Sequence, residues 1–453
     1  MTTKTRQPLA IYAASPADVA GTLRAWARGE RDPLEISETY SGQFFDAVER
    51  LGWRARVITH RGEHERCEAR GIIVEHRASR AAGQRGWRYR LGRLADEVGV
   101  LGTVLRERAD VLVLAFPLHW WVFAPARWAG TRVIASVHNT FWIGEAPKHG
   151  SVLDRLSRRL DGWFFRSCVD ESLCISGVIA EQVERMAGGP RGPVRVCLPR
   201  FDVADFEGLP AATQGPPLRV LFAGRVIRAK GCMLMLDAAE RIERERPREV
   251  QWDVVGDGAD AETLRAEARA RELDGVFRLH GHVDRQTLRG FLARAGVVCA
   301  PTTSAFNEGL HKGVLEAALA GRPCVTTSVV PGGVLVGEAA TVVPADDAAA
   351  LASAVLALRD DAGLFARRVA GGRAFRDWYA AADHTWGVAL LRAMNASGHR
   401  EDVTARRAAG SGQPSCASPS DAVAGAGAGS GEAGPMSRPR DMMTSASSRP
   451  TRS

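Results

Sequence analysis

Two doubly wound parallel β-sheets facing a cleft, with a disordered C-terminal tail, form the α/β fold that this 453-residue sequence predicts. Three observations carry that reading. From residue 218 short apolar runs alternate regularly with amphipathic stretches, the pattern of β-α units in a parallel sheet. Residues 9–200 repeat the alternation less tidily, so another sheet comes first. From Ser397 to Ser453 there is no Leu, Ile or aromatic residue, and such a segment buries too little apolar surface to offset its ordering entropy.

In the first half, strands are expected at LAIYAA (9–14), RARVIT (54–59), GIIVEH (71–76), DVLVLAF (110–116), RVIASVH (132–138), SLCIS (172–176) and VRVCL (194–198). Helical periodicity separates them at 42–51, 88–107, 151–166 and 177–187. Pro210, Gly215, Pro216 and Pro217 then punctuate the chain and mark a boundary. Beyond it, LRVLFAG, WDVVG, VFRLHG, VVCAP and PCVTT read as strands, with helices at 231–246, 259–272, 284–295 and 310–320. The expected organisation is a first domain over 1–205, a linker at 206–217, a second domain over 218–396 whose last helix crosses back to the first, and a tail over 397–453. Ligands of such sheets bind outside the carboxyl ends of the strands, so functional residues should lie just after strands.

The net charge of +8 lies wholly in the first half, where residues 1–200 hold 30 basic and 22 acidic groups. Residues 50–90 carry eleven Arg against four Glu, a field suited to phosphate, anionic lipid or nucleic acid, although a solvated Arg-rich face gives the same count. Eight cysteines without a CxxC pair point to reduced thiols and a cytoplasmic setting. The apolar stretch at 9–14 is too short for a signal-peptide core. The most apolar window, 111–126, is broken by Pro117 and His119 and is too short to span a bilayer.

The strongest local signal is Gly224-Arg225-Val226-Ile227-Arg228-Ala229-Lys230-Gly231, after the first strand of the second half. Arg225 and Lys230, five apart in a glycine-bounded turn entering a helix, can both point at one diphosphate. About 80 residues later, Asn307-Glu308-Gly309-Leu310-His311-Lys312-Gly313-Val314-Leu315-Glu316-Ala317 opens another helix. Glu308 precedes that helix, where a carboxylate can accept sugar hydroxyls, and the backbone N–H groups after Gly309 form an anion site reinforced by the helix dipole. Glu316, two turns further on, can reach the hydroxyls of a ribose. The plainer alternative is a helix whose acidic residues only favour its N-terminal dipole.

In their joint order these residues resemble the retaining glycosyltransferases of family 4. The resemblance rests on G-R-x4-K-G, Gly256-Asp257-Gly258, Gly281, Ala300-Pro301-Thr302, and E-G-x6-E-A followed by Gly321-Arg322-Pro323. It implies the GT-B architecture of two Rossmann-like domains. It also implies that Arg225 and Lys230 bind and stabilise the donor diphosphate as it leaves, with Gly224 at the start of that loop. Glu308 would contact the transferred sugar, Gly309 and Leu310 would supply backbone donors, and Glu316 would hold the ribose. Val283 falls where relatives bring backbone near the nucleobase, and His138 where they carry a cleft residue near the donor sugar. Three departures stand out. Ser41 and Gly42, on the acceptor side, replace the usual Gly-rich loop only after some 25 additional residues, Arg200-Phe201-Asp202 stands where an Asn-Gly is usual, and His311 occupies a position often held by Pro.

The resemblance implies transfer of a hexose from a nucleotide diphosphate sugar by front-face attack. No resident cofactor is expected, and no metal, since no Asp-x-Asp occurs and Arg225 with Lys230 would supply the positive charge. The expected acceptor is a glycan or a lipid-linked molecule. Trp120, Trp121, Trp128 and Trp142 together with the Arg-rich region would hold the enzyme at an anionic membrane face, unless the tryptophans pack a core. Two rival readings remain at this point. A sugar-nucleotide epimerase of the same fold would use the same diphosphate site. A nucleic-acid-binding protein would explain the charge but not the two motifs, and no nucleic-acid partner is expected.

Overall fold

The structure is a computed structural model. It describes residues 6–31, 36–62, 64–144, 147, 151–381 and 384–396. The tail expected from residue 397 lies outside the described residues, as does Cys416.

The first half contains β1 (Leu9–Ala13), α1 (Val19–Ala27), α2 (Tyr40–Leu51), β2 (Arg54–His60), β3 (Glu65–Ala69), β4 (Ile72–Arg77), α3 (Gly86–Glu107) and β5 (Val111–Ala115). It continues through α4 (Ala124–Trp128), β6 (Arg132–Val137), α5 (Val152–Ser167), β7 (Glu171–Cys174), α6 (Gly177–Ala187) and β8 (Val194–Val196). The sheet runs β3-β4-β2-β1-β5-β6-β7-β8, parallel throughout except for β3, which is antiparallel to β4 at the edge. Every residue of β5 (VLVLA) is buried, as expected of a central strand covered by helices on both faces.

The second half contains β9 (Leu218–Ala223), α7 (Cys232–Glu245), β10 (Val250–Val255), α8 (Ala261–Ala270), β11 (Phe277–Gly281), α9 (Arg285–Arg294), β12 (Val297–Ala300), α10 (Lys312–Leu319) and β13 (Cys324–Thr327). After α11 (Pro331–Leu335) and β14 (Ala340–Val343) come α12 (Ala348–Asp360), α13 (Ala362–Ala381) and α14 (Trp386–Asn395). Its parallel sheet runs β11-β10-β9-β12-β13-β14.

The chain returns to the first half at its end. Tyr379 on α13 donates its hydroxyl to the Pro199 carbonyl at 2.6 Å and accepts from the Phe201 amide at 2.9 Å. Trp386 at the start of α14 donates its indole N–H to Ser136 Oγ at 2.7 Å, and the Gly387 amide donates to Gln43 at 2.8 Å. Buried indole and phenol groups need such partners, and here each is found on the other half.

The structure bears on two alternatives that the sequence left open in the first half. Part of the positive field of residues 50–90 is neutralised locally: Arg56 pairs with Glu75 at 3.2 Å and Glu107 at 2.9 Å, Arg77 with Glu75 at 2.9 Å, and Arg70 with Glu49 at 2.9 Å. The four tryptophans do not form one surface either. Trp120 packs 5.1 Å from Phe165 in the core and Trp142 is buried, because bulky indoles follow the apolar strand ends inward, while Trp128 alone is largely exposed. Among the described residues no helix is long and apolar enough to cross a membrane.

Candidate active site

The loops that follow β6 and β12 meet, and their residues build the site. A Cβ on Gly309 would lie 1.9 Å from the His138 carbonyl oxygen, so only glycine permits the two loops to touch. The turn after β9 is pinned from below in the same way. Gly231 sits at φ 83°, and a side chain there would strike the Pro301 carbonyl at 2.0 Å. The Arg225–Lys230 turn is thereby pressed against the loop that carries Thr302, Phe306 and Glu308.

Lys230 donates from its ammonium to Glu308 Oε2, and the two side chains are only 12% and 8% exposed. Thr302 donates its hydroxyl to the same oxygen at 3.0 Å, which leaves Oε1 without a partner among the described residues. The Phe306 ring faces both cations, with Lys230 Nζ 4.6 Å and the Arg225 guanidinium 5.4 Å from its centroid. Arg225 is exposed and makes no ion pair among the described residues. One exposed cation, one clamped cation and a carboxylate therefore converge on the entrance to α10.

Burial lowers the Lys230 ammonium and Arg225 adds to the effect, while Glu308 opposes it without fully compensating. Burial acts against the Glu308 charge, yet His311, Lys230 and Thr302 together bring its carboxyl below the ordinary value. His311 is itself held at about 4, chiefly by burial and then by Lys230, so near neutral pH its ring is uncharged and Lys230 is the group that keeps Glu308 ionised. His311 also occupies φ 68° as the residue before α10, and neither ring nitrogen has a hydrogen-bond partner. A buried, unpaired imidazole in a left-handed conformation is costly, and such strain gathers where ligands bind.

On the facing loop, His138 lies between Phe116, stacked at 4.9 Å, and the ring of Tyr40, edge-on at 4.3 Å. Its Nε2 is 2.7 Å from Ser136 Oγ. The same oxygen accepts the Trp386 indole N–H, so the hydroxyl ties His138 to the start of α14. Burial, aided by Lys312, drives the ring down to about 3, so it is neutral at physiological pH.

The remaining predicted residues fall at varied distances from this centre. Gly224 lies under Gly256, whose Cβ position would be 1.9 Å from the Gly224 carbonyl. Leu310 is buried, and its carbonyl accepts from the Gly332 amide at 3.1 Å. Glu316 is buried on α10, five residues beyond His311. Val283 is half-buried after β11, packed against the core. Ser41 is buried and the Gly42 amide is already spent on the Thr39 hydroxyl at 3.0 Å, so the reach of α2 into the cleft is made by Tyr40. Tyr40, Phe116 and Phe306 were not singled out from the sequence, and Thr302 entered only as part of the Ala300-Pro301-Thr302 element; their positions next to strand ends or the Glu308 motif mark them. Among the described residues one cluster has the composition of a metal site, Asp18, Glu65 and His76 beside the edge strands, but the Ala20 amide already takes His76 Nε2 at 3.2 Å.

Residues 217–361 match the family described as glycosyl transferases group 1, and residues 37–199 match the glycosyl transferase 4-like domain. The chain belongs to the group 1 glycosyltransferases. It is 26% identical to glycogen synthase of Mycobacterium tuberculosis over 304 residues, 63% of this chain and 70% of that one. It is 33% identical to phosphatidyl-myo-inositol mannosyltransferase of Mycolicibacterium smegmatis over 175 residues, 37% of this chain and 44% of that one. Among solved structures, trehalose 6-phosphate synthase of Burkholderia multivorans superposes with a TM-score of 0.65 at 12% identity, covering 90% of this chain and all of that one. Anabaena HepE in complex with UDP does so with a TM-score of 0.58 at 16% identity, over 88% of this chain and all of that one. This glycosyltransferase thus has the GT-B architecture, with the two family matches lying on the two sheets.

Proposed function

We propose that this glycosyltransferase moves a hexose from a nucleoside diphosphate sugar to a glycan or lipid-linked acceptor, with retention at the anomeric carbon and without a metal ion. The observation that carries the reading is the Lys230–Glu308 pair beside Arg225 at the entrance to α10. The diphosphate would lie against the α10 amides and the two cations, where the helix dipole and fixed charge favour an anion. Glu308 Oε1 would accept a hydroxyl of the hexose, and Glu316 a ribose hydroxyl. Val283 would stand near the base, while Gly224, Gly309 and Leu310 keep backbone close to the donor.

In the reacting complex the acceptor oxygen bonds to the anomeric carbon on the face from which the diphosphate departs. The carbon–oxygen bond to phosphate breaks with its electron pair going to the diphosphate, and the acceptor proton passes to that leaving oxygen. Lys230 and Arg225 stabilise the charge that develops there. His138, neutral and clamped by Ser136, holds the sugar side of the cleft and supplies no proton.

HepE, whose solved complexes include UDP, UDP with glucose, and UDP-glucose, supports a nucleotide-sugar donor. The mannosyltransferase named for phosphatidyl-myo-inositol supports the lipid-linked alternative for the acceptor. A cavity of about 420 Å³ opens beside His138 and Asn307, and an epimerase would need no such room. A cytoplasmic enzyme seated peripherally on an anionic inner membrane face fits this reading. Thermal-shift measurements with UDP, GDP, ADP and dTDP test the donor site, since a ligand at 100 times its Kd stabilises the folded protein by about 2.7 kcal/mol. Stabilisation by none of them would refute it.

A further inference from the structure

Among the described residues three histidines are buried: His76, His138 and His311. Two of them have hydrogen-bond partners, His76 with the Ala20 amide at 3.2 Å and His138 with the Ser136 hydroxyl at 2.7 Å. His311 differs. It is 9% exposed, and neither Nδ1 nor Nε2 reaches a hydrogen-bond partner. A leucine or phenylalanine would fill the same space without leaving polar atoms unpaired, so packing does not account for an imidazole here.

The chain around it is shaped to seat the ring. His311 holds φ 68°, a left-handed backbone that is unfavourable for a residue with a Cβ. A Cβ on Gly313 would lie 3.2 Å from His311 Cε1 and 3.3 Å from Nδ1, closer than ordinary contact, so a poor helix former in the first turn of α10 makes room for the imidazole. The charged groups that act on the ring are Lys230 and Glu308, alongside its own backbone. The first amides of α10 have no acceptor within the helix, so an unpaired imidazole N–H stands beside free backbone donors and a clamped ammonium. Being uncharged near neutral pH, the ring can donate to a phosphate oxygen without adding a further positive charge beside Lys230 and Arg225.

We propose that His311 is a donor-binding residue whose ring N–H hydrogen-bonds the distal phosphate of the nucleoside diphosphate sugar. The inference rests on the donor reading above, in which Glu308 contacts the transferred sugar and Glu316 the ribose. His311 lies between them in the chain, at the entrance to α10, so the group it meets is the phosphate next to the sugar. Without that phosphate the unpaired nitrogens and the left-handed backbone are uncompensated, and binding supplies the acceptor that the fold withholds. The residue therefore trades stability of the empty protein for affinity. Because charge on the distal phosphate grows as the sugar departs, the same N–H contributes to transfer as well as to binding.

Calorimetric titration of UDP, GDP, ADP and dTDP into the full chain finds the diphosphate that binds. That diphosphate and its monophosphate are then titrated into wild type, His311→Gly and His311→Gln, and each protein is also unfolded thermally without ligand. His311→Gly removes the ring and relieves the left-handed strain. It should unfold at the wild-type temperature or above, bind the diphosphate about tenfold more weakly or worse, as for a lost hydrogen bond to a charged group, and bind the monophosphate within about twofold of wild type. His311→Gln keeps an N–H at similar reach and should recover part of the diphosphate affinity, which a role in packing alone would not produce. Equal diphosphate affinity in wild type and His311→Gly, or an equal loss for both nucleotides, would overturn the proposal. Lys230→Ala, titrated alongside, separates the two readings. If it weakens the diphosphate and His311→Gly does not, this inference fails alone; if no diphosphate binds the wild type, the donor reading fails and the inference falls with it.

Discussion

Lys230→Ala removes the only cation that is hydrogen-bonded to Glu308 among the described residues, a carboxylate that is 7% exposed. Breaking a buried pair from one side costs about 3 to 5 kcal/mol, because the remaining charge is left uncompensated. Here both side chains retain slight exposure and Thr302 still donates to Glu308, so a cost of about 3 kcal/mol is expected near pH 8. The pH dependence has a definite sign. In the wild type the Glu308 carboxyl lies below its ordinary value, so its contribution is present above about pH 4.5 and is lost as pH falls through the folded value. In the variant burial dominates and the carboxyl rises, so the penalty is relieved by protonation, and the gap between the two proteins should close toward pH 4.5. The assay is thermal unfolding of wild type, Lys230→Ala, Glu308→Gln and the double variant from pH 4.5 to 8. The double variant should lose less than the sum of the singles, since neither group is then left charged and unpaired. A single-variant cost under about 0.5 kcal/mol with additive behaviour would show that the pair is not buried and coupled as argued.

Gly309→Ala would place a methyl group 1.9 Å from the His138 carbonyl, backbone against side chain with no rotamer to relieve it. Transfer should fall at least hundredfold in an assay of sugar release while the far-UV spectrum of the variant stays unchanged, as expected when the two loops are pushed apart by about an ångström. His138→Gln should remove one pH-dependent contribution to stability. With the folded imidazole near 3 and the unfolded one near 6.5, that contribution is complete above pH 6.5 and declines by about 1.4 kcal/mol per pH unit below it, so the wild-type advantage in thermal unfolding should shrink from pH 6.5 to 4. Transfer should survive EDTA, and NMR of the product should show the donor's anomeric configuration; an inverted product would contradict the front-face route.

The strands were legible where both faces are covered, because continuous apolar runs such as VLVLA and VVCA need no periodicity to be recognised. β3 was not, since ERCEA is an edge strand with charged residues on its half-exposed faces and carries no apolar signal. Within the site, Arg225, Lys230 and Glu308 could be read from local spacing, and the structure brings the turn and the loop together across 78 residues. The aromatic setting of His138 could not, because Tyr40, Phe116 and Trp386 come from three distant segments and meet only when the sheet forms and α14 returns. Charge counting also had a limit. The excess of arginines over 50–90 was visible, but their partners Glu49, Glu75 and Glu107 are chosen by strand register and helix packing.

The most direct test of the account is calorimetric titration of a nucleoside diphosphate into wild type, Lys230→Ala and Arg225→Ala. The account predicts that one of UDP, GDP, ADP or dTDP binds the wild type and binds each variant at least tenfold more weakly, since each loses a charge-assisted contact to the same diphosphate. Binding of equal strength in all three proteins would contradict it, because the anion would then lie somewhere other than between these two side chains.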